Sequence, residues 1–334
     1  MTSKKLNRRD FIGGLSQSVL SFLVLSRATQ QLKVSASQRT SVLVLGAGLS
    51  GLYTALLLEA KGLSVTVLEA RDRVGGRVHT HNDIPGKPEA GGQSFSEKYQ
   101  RLLAVAERLQ VPLEPSVGLD KEMLLYVRGQ AVLPKDWAGA TANQLTANER
   151  KIVPPLLLSY YLQQKNPLEN ETAWTKPEYA DLDIPLDDYL RRAGASTEAL
   201  RLINFNPGSR TNSLETASAL WALRNDQRSR NLGQQPLRIR DGNSRLPEKM
   251  AAALKSPVQL NKVVEAIRSL DSGVEVHCVD GSSFRADYVI VTLPFSVLRD
   301  VEITPGLPAL QSEAVKGLNY TAVTQIRFTV RDRF

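Results

Sequence analysis

SVLVLGAGLSGLYTALLLEAKGLSVTVLEARDRVGGRVHT, residues Ser41 to Thr80, decides the fold of this chain. Val42-Leu43-Val44-Leu45 is apolar at every position, which predicts a strand buried on both faces, as at the centre of a parallel sheet. The run ends in Gly46-Ala47-Gly48-Leu49-Ser50-Gly51, a complete G-x-G-x-x-G. In that pattern the first glycine permits the tight turn, the second lets a pyrophosphate approach the backbone, and the third lets helix and strand pack closely. A helix is expected from about Leu49 to Ala60, closed by Lys61-Gly62, with its free N–H groups and dipole facing the phosphates. A second strand, Ser64 to Leu68, ends at Glu69, 18 residues after Gly51, near the spacing at which a carboxylate meets a ribose. Glycines at a strand–helix turn are often only structural, but here strand, loop, helix, strand and acid stand in register and argue for dinucleotide binding. An acid at Glu69 would repel a 2′-phosphate. That disfavours NADP and leaves FAD and NAD.

The residues that follow separate those two. Glu69-Ala70-Arg71-Asp72-Arg73-Val74-Gly75-Gly76-Arg77 sets a glycine pair among arginines, offering close backbone approach and cations to a pyrophosphate; a solvated basic turn is the alternative. This segment resembles the extended fingerprint of the flavin amine oxidase family, which includes monoamine oxidases, polyamine oxidases and L-amino-acid oxidases. The resemblance implies FAD, and an α/β fold in which a Rossmann-like FAD-binding domain is joined to a discontinuous α+β substrate domain. It implies cofactor contacts at Gly46, Ala47, Gly48, Ser50 and Gly51, with the glycines cradling the pyrophosphate, and at Glu69 on the ribose. Ala70, Arg71, Gly75, Gly76 and Arg77 complete that set, with Arg71 and Arg77 on the phosphates.

Downstream, Asn82 to Pro88 is a turn-rich loop leading to Glu89-Ala90-Gly91-Gly92-Gln93-Ser94-Phe95. The latter resembles the family's second glycine pair and puts Gly91, Gly92 and Gln93 beside the flavin ring. Leu102, Leu103, Val105, Ala106 and Leu109 have helical spacing and predict a helix over Ser96 to Leu109. From Asp136 to about Arg228 the sequence is helix-rich and broken by prolines, similar to the helical part of the family's substrate domain. Glu215 to Trp221 resembles a helix near the substrate cavity of monoamine oxidases, although core packing is the preferred reading of Trp221. Pro236 to Pro247 resembles the return into the FAD domain, with Asp241-Gly242 where relatives have two glycines. In Leu260 to Ile267 the resemblance puts the backbone of Val264 against the adenine. A hairpin is expected about Asp280-Gly281, then a buried strand from Ala286 to Pro294. The expected organisation is a signal over 1–36, an FAD-binding domain over 40–95 and 236–303, and a substrate domain over 96–235 and 304–334.

The chain has 334 residues, 42% of them hydrophobic, enough for a full core. The formal charge of +8 is concentrated at the start: Lys4, Lys5, Arg8, Arg9, Arg27 and Lys33 against Asp10 give residues 1–36 a net of +5, leaving +3 for residues 37–334. With no basic stripe, nucleic-acid binding is disfavoured. Cys278 is the single cysteine, excluding an intrachain disulfide, and its alternating context favours a strand filler over a reactive thiol. His79, His81 and His277 have no metal-ligand spacing, so no metal is expected. Asn7-Arg8-Arg9-Asp10-Phe11-Ile12 resembles the twin-arginine motif for export of folded proteins, and the segment through Leu25 is too short and polar to span a membrane stably. Cleavage after Val34-Ser35-Ala36 and a periplasmic or secreted location are expected, an uncleaved anchor being the alternative.

The resemblance implies oxidation of an amine to an imine with O2 as acceptor and release of H2O2. The cofactor carries such chemistry, so no acid–base pair or nucleophile need be visible. Many relatives have a lysine that holds a water against flavin N5; Gln325 stands there, able to position water but not to supply a cation. Amino-acid oxidases commonly place a carboxylate-clamping arginine after the second glycine pair. Gln93-Ser94-Phe95 lacks one, which favours amines over amino acids. Relatives continue well past the equivalent of Phe334, so a C-terminal truncation is expected, and a non-catalytic FAD-binding remnant is the rival reading.

Overall fold

A computed structural model describes residues 39–116, 124–205, 213–230, 236–318, 320, 324 and 326. The expected signal over 1–36 and Gln325 lie outside the described residues. Two compact units are present: a sheet unit of residues 39–116, 236–318 and 320, and a helical unit of residues 124–205 and 213–230.

The sheet unit opens with strand β1 (Ser41–Leu45), helix α1 (Leu49–Ala60) and strand β2 (Ser64–Leu68). It continues through β3 (His79–Thr80), β4 (Glu89–Gly91), β5 (Phe95–Ser96), helix α2 (Gln100–Arg108) and β6 (Leu113–Pro115). The helical unit follows with the hairpin β7 (Leu125–Val127) and β8 (Gln130–Val132), then α3 (Pro154–Gln164), α4 (Leu186–Arg192), α5 (Thr197–Phe205) and α6 (Ala219–Arg230). Its core gathers Trp137, Leu157, Tyr161, Leu190, Ile203 and Leu223. The chain then returns to the sheet unit as β9 (Pro236–Ile239), α7 (Arg245–Ala252), β10 (Val264–Ser269), β11 (Val274–Cys278), β12 (Ser283–Ala286) and β13 (Tyr288–Val291). It ends with α8 (Phe295–Leu298), β14 (Glu302–Thr304) and α9 (Ala309–Gly317).

β1 is central in a parallel sheet ordered β13-β1-β2, with Val42 opposite Val65 and Val44 opposite Val67. Val42 and Val44 pack with Leu52, Ala55 and Leu56 of α1, while Leu43 and Leu45 pack with Ile267, Val276 and Cys278 of the second sheet, ordered β12-β11-β10-β14. Both faces are covered, which is why Val42 to Leu45 are all apolar. Each such side chain contributes on the order of 2 kcal/mol of burial. Cys278 is buried there as a core filler. β13 is less enclosed than its sequence predicts, since all four of its residues are half-buried.

The helix expected from Ser96 begins at Gln100. Phe95 and Ser96 pair instead with Leu237 and Pro236 of β9, and the same strand takes β6 on its other edge. Residues 96–116, expected in a substrate domain, are thereby built into the sheet unit, as are residues 304–318. Pairing partners more than a hundred residues away outweigh local helical spacing here.

Candidate cofactor site

The site grows from the turn between β1 and α1. Gly46 has φ +100, a left-handed conformation that favours glycine, and its N–H donates to Leu68 O at 2.7 Å. At Gly51 a Cβ would overlap the Gly46 carbonyl, so helix and turn are in contact there. Gly48, the N-cap of α1, is different: φ −73 suits any residue, and a Cβ there would meet nothing within 4 Å. The fold therefore explains the first and third glycines but not the second. Open space above Gly48, beside a helix N-terminus with no acidic residue in its first turn, fits a pyrophosphate. Ser50 lies exposed in that first turn.

Glu69, directly after β2, is only 7% exposed. Its Oε2 accepts the Ala47 N–H at 2.7 Å and its Oε1 accepts the Arg71 N–H at 3.0 Å. The carboxylate thus ties the glycine turn to the following loop while keeping lone pairs for a ribose. Replacing Glu69 with glutamine is expected to destabilise the sheet unit by about 1–3 kcal/mol, because one of those N–H groups would then face an amide donor. Thermal unfolding followed by far-UV circular dichroism checks this.

The loop after Glu69 folds back on the turn. Gly75 N–H donates to Ala47 O at 2.8 Å, and a Cβ on Gly76 would come 3.4 Å from the Gly48 Cα. Arg71 and Arg73 both donate to the Gly76 carbonyl, at 3.0 and 3.2 Å. Burial, then the neighbouring Arg71 guanidinium, lowers the Arg73 pKa; burial, then Arg73, does the same to His79. The region is electropositive and suits an anion. Arg77 is exposed, with no ion pair among the described residues, and Ala70 is exposed too. Beside this loop, Lys262 N–H donates to Glu69 O at 2.8 Å, bringing the chain to within two residues of Val264 at the head of β10.

Gly91 and Gly92 are required by close approach: a Cβ on Gly91 would overlap the Arg77 carbonyl, and Gly92 has φ +71. Sequence reasoning missed what holds them. Asn243, 3% exposed, donates through Nδ2 to the Gly92 carbonyl and to Gln93 O at 3.1 Å, and its Oδ1 accepts the Ile239 N–H at 2.8 Å. Its own N–H donates to Glu89 Oε1 at 2.7 Å. Ser244 and Thr80 exchange two further bonds, each backbone N–H donating to the other's hydroxyl. The Asp241 and Gly242 of the sequence have φ +66 and +117, so both positions are left-handed where relatives carry glycine, and a carboxylate-bearing residue occupies one of them. Thr292, also missed, donates its hydroxyl to Leu45 O at 2.7 Å just behind the Gly46 turn. Polar residues immediately after left-handed or strand-end positions are the signal that marks both.

In the helical unit Trp221 packs against the core and also lines a cavity of about 170 Å³ with Leu158, Leu162, Leu186, Asn225 and Asp226. No three His, Cys, Asp or Glu side chains among the described residues could hold a metal, and no described helix is long and apolar enough to cross a membrane.

A family model described as flavin containing amine oxidoreductase matches residues 49–334. A flavin-containing amine oxidase of Oncorhynchus mykiss is 26% identical over 317 residues, covering 90% of this chain and 59% of that protein. An L-amino-acid oxidase of Siganus canaliculatus is 28% identical over 309 residues, covering 88% of this chain and 57% of that one. Among solved structures, a putrescine oxidase bound to putrescine is 25% identical with a TM-score of 0.64, covering 84% of this chain and 63% of its own. A cyclohexylamine oxidase from Brevibacterium oxydans, 23% identical with a TM-score of 0.67 over 83% and 63%, shares the fold. The chain thus spans less than two thirds of the length of these relatives.

Proposed function

The chain belongs to the family of flavin containing amine oxidoreductases, whose cofactor is FAD, and from that premise we propose that it oxidises an amine to an imine with O2 as acceptor, releasing H2O2. The observation that carries this reading is the turn at Gly48, left open by a fold that closes on the glycines either side of it. When bound, FAD supplies the two-electron acceptor for a hydride equivalent from the carbon next to the nitrogen. The chain's part is to bind and orient. Gly46, Gly48 and Gly51 with the α1 N-terminus would cradle the pyrophosphate, Arg71 and Arg77 would neutralise it, and Glu69 would hold the ribose. Gly91 to Gln93 would run beside the flavin ring and the Val264 backbone beside the adenine.

An amine is preferred to an amino acid because Gln93-Ser94-Phe95 offers no cation for a carboxylate. Likeness to an L-amino-acid oxidase at 28% identity keeps that substrate class as the second reading. We also propose export by the twin-arginine route, motivated by Asn7 to Ile12. Fractionation of cells making the full chain and an Arg8→Lys, Arg9→Lys variant tests it, since the variant should stay in the cytoplasm.

The catalytic reading is tested by the absorption spectrum of the purified chain after gel filtration. Oxidised-flavin bands that co-elute with protein and leave it on heat denaturation are expected, followed by peroxide release with an amine. A colourless, folded chain that takes up no added FAD would sink the reading.

A further inference from the structure

Gln93 and Ser94 follow the left-handed Gly92 and are exposed, and neither backbone N–H has a partner among the described residues. Their direction is set from behind. In a trans peptide the carbonyl of one residue and the N–H of the next point opposite ways. Asn243 Nδ2 draws the carbonyls of both Gly92 and Gln93 to one side of the segment that joins β4 to β5. The N–H groups of Gln93 and Ser94 must then both face the other side, as two adjacent donors. Consecutive N–H groups turned to one side form a concavity that binds acceptor atoms.

Asn243 is well placed to impose this. It is buried, its Oδ1 is occupied by the Ile239 N–H and its own N–H by Glu89, so its amide cannot turn round without losing bonds on both sides. The second donor pair at the site is Ser244 with Thr80, which fixes β3 and makes no bond to Gln93 or Ser94. Anything that covers the Gln93 and Ser94 amides without accepting hydrogen bonds would leave two donors unsatisfied.

We propose that Asn243 is a positioning residue for the cofactor: it orients the Gln93 and Ser94 amides as a paired donor for the hydrogen-bond acceptors of the flavin ring. The inference rests on the reading that Gly91 to Gln93 run beside that ring. Asn243→Ala removes the donor, and Asn243→Asp presents a carboxylate oxygen to two carbonyl oxygens, which should turn the peptides away. Ser244→Ala serves as the comparison, breaking the bond to Thr80 while leaving Asn243 in place.

The experiment titrates the apo form of the full chain and of each variant with FAD, recording flavin fluorescence, the visible band positions and the Tm without FAD. All three variants should lower the Tm. Only the two Asn243 variants should weaken FAD binding by about tenfold or more, the equivalent of one or two hydrogen bonds, and shift the flavin bands. Asn243 variants that match Ser244→Ala in affinity and bands would overturn the inference and leave Asn243 a structural residue. A wild-type chain that binds no FAD would instead overturn the cofactor reading, and this inference with it.

Discussion

Gly51→Ala is expected to abolish cooperative folding of the sheet unit, whereas Gly48→Ala is expected to fold and to lose the cofactor. The added methyl at position 51 would overlap the Gly46 carbonyl and come 2.9 Å from the Thr292 hydroxyl. Both are held: Gly46 by its bond to Leu68, and Thr292 by its bond to Leu45. Neither can retreat without breaking the β1–α1 junction, and overpacking of that kind costs about 3 kcal/mol or more. At position 48 the same methyl enters open space from a backbone that any residue adopts, so the cost to folding is about 1 kcal/mol at most. If the proposed pyrophosphate passes there, FAD affinity should fall by about a hundredfold, close to 3 kcal/mol. Far-UV circular dichroism and FAD titration of the two variants separate the outcomes. Equal FAD affinity in Gly48→Ala and wild type would remove the cradle from this turn.

Glu149→Ala should unfold the helical unit at moderate temperature, and the wild-type unit should lose stability between about pH 4.5 and pH 2. Glu149 is 2% exposed and accepts from five donors. These are the Thr146 N–H and hydroxyl, the Ser196 N–H and hydroxyl, and the Tyr161 hydroxyl. Burial alone would raise its pKa, but the Ser196 and Tyr161 hydrogen bonds outweigh it and bring the pKa from 4.5 down to about 2. Because the folded pKa is depressed, the stabilisation is fully present above the unfolded pKa and is lost as pH falls through the folded one. The shift corresponds to about 3 kcal/mol. Truncation to alanine leaves several buried donors unmet and should cost about 4 kcal/mol. All three tryptophans, Trp137, Trp174 and Trp221, lie in this unit, so tryptophan fluorescence, excited selectively over tyrosine, reports on it alone. Denaturant unfolding followed by tryptophan fluorescence measures the stability at each pH, and a stability that does not fall between about pH 4.5 and pH 2 would contradict this account of Glu149.

Asp241 shows how far a departure from a family pattern can be read. The sequence presents it only as a missing glycine. In the structure its φ of +66 means the backbone keeps the glycine-like conformation, and its carboxylate pairs with Arg245 at 2.9 Å. An exposed pair contributes little, so the left-handed strain is mostly uncompensated.

The sequence by itself determined the parts of this protein whose physics is local. The apolar run Val42 to Leu45, the glycine turn, the helix through Ala60, the strand through Leu68 and Glu69 after it all lie within about thirty residues, so their pattern is legible in one stretch of chain. The resemblance carried by Glu69 to Arg77 extended that reading to FAD. Tertiary structure alone decided the rest. It built Ser96, expected to open a helix, into a strand with Phe95, because β9 supplied a partner from far along the chain. It gave Glu69 a second task, as acceptor for the Ala47 and Arg71 amides. It brought Asn243 behind Gly92 and Gln93, and Ser196 onto Glu149, across separations of 151 and 47 residues. Buried polar groups must find partners wherever the fold delivers them, and no local pattern in the chain records which partner that is.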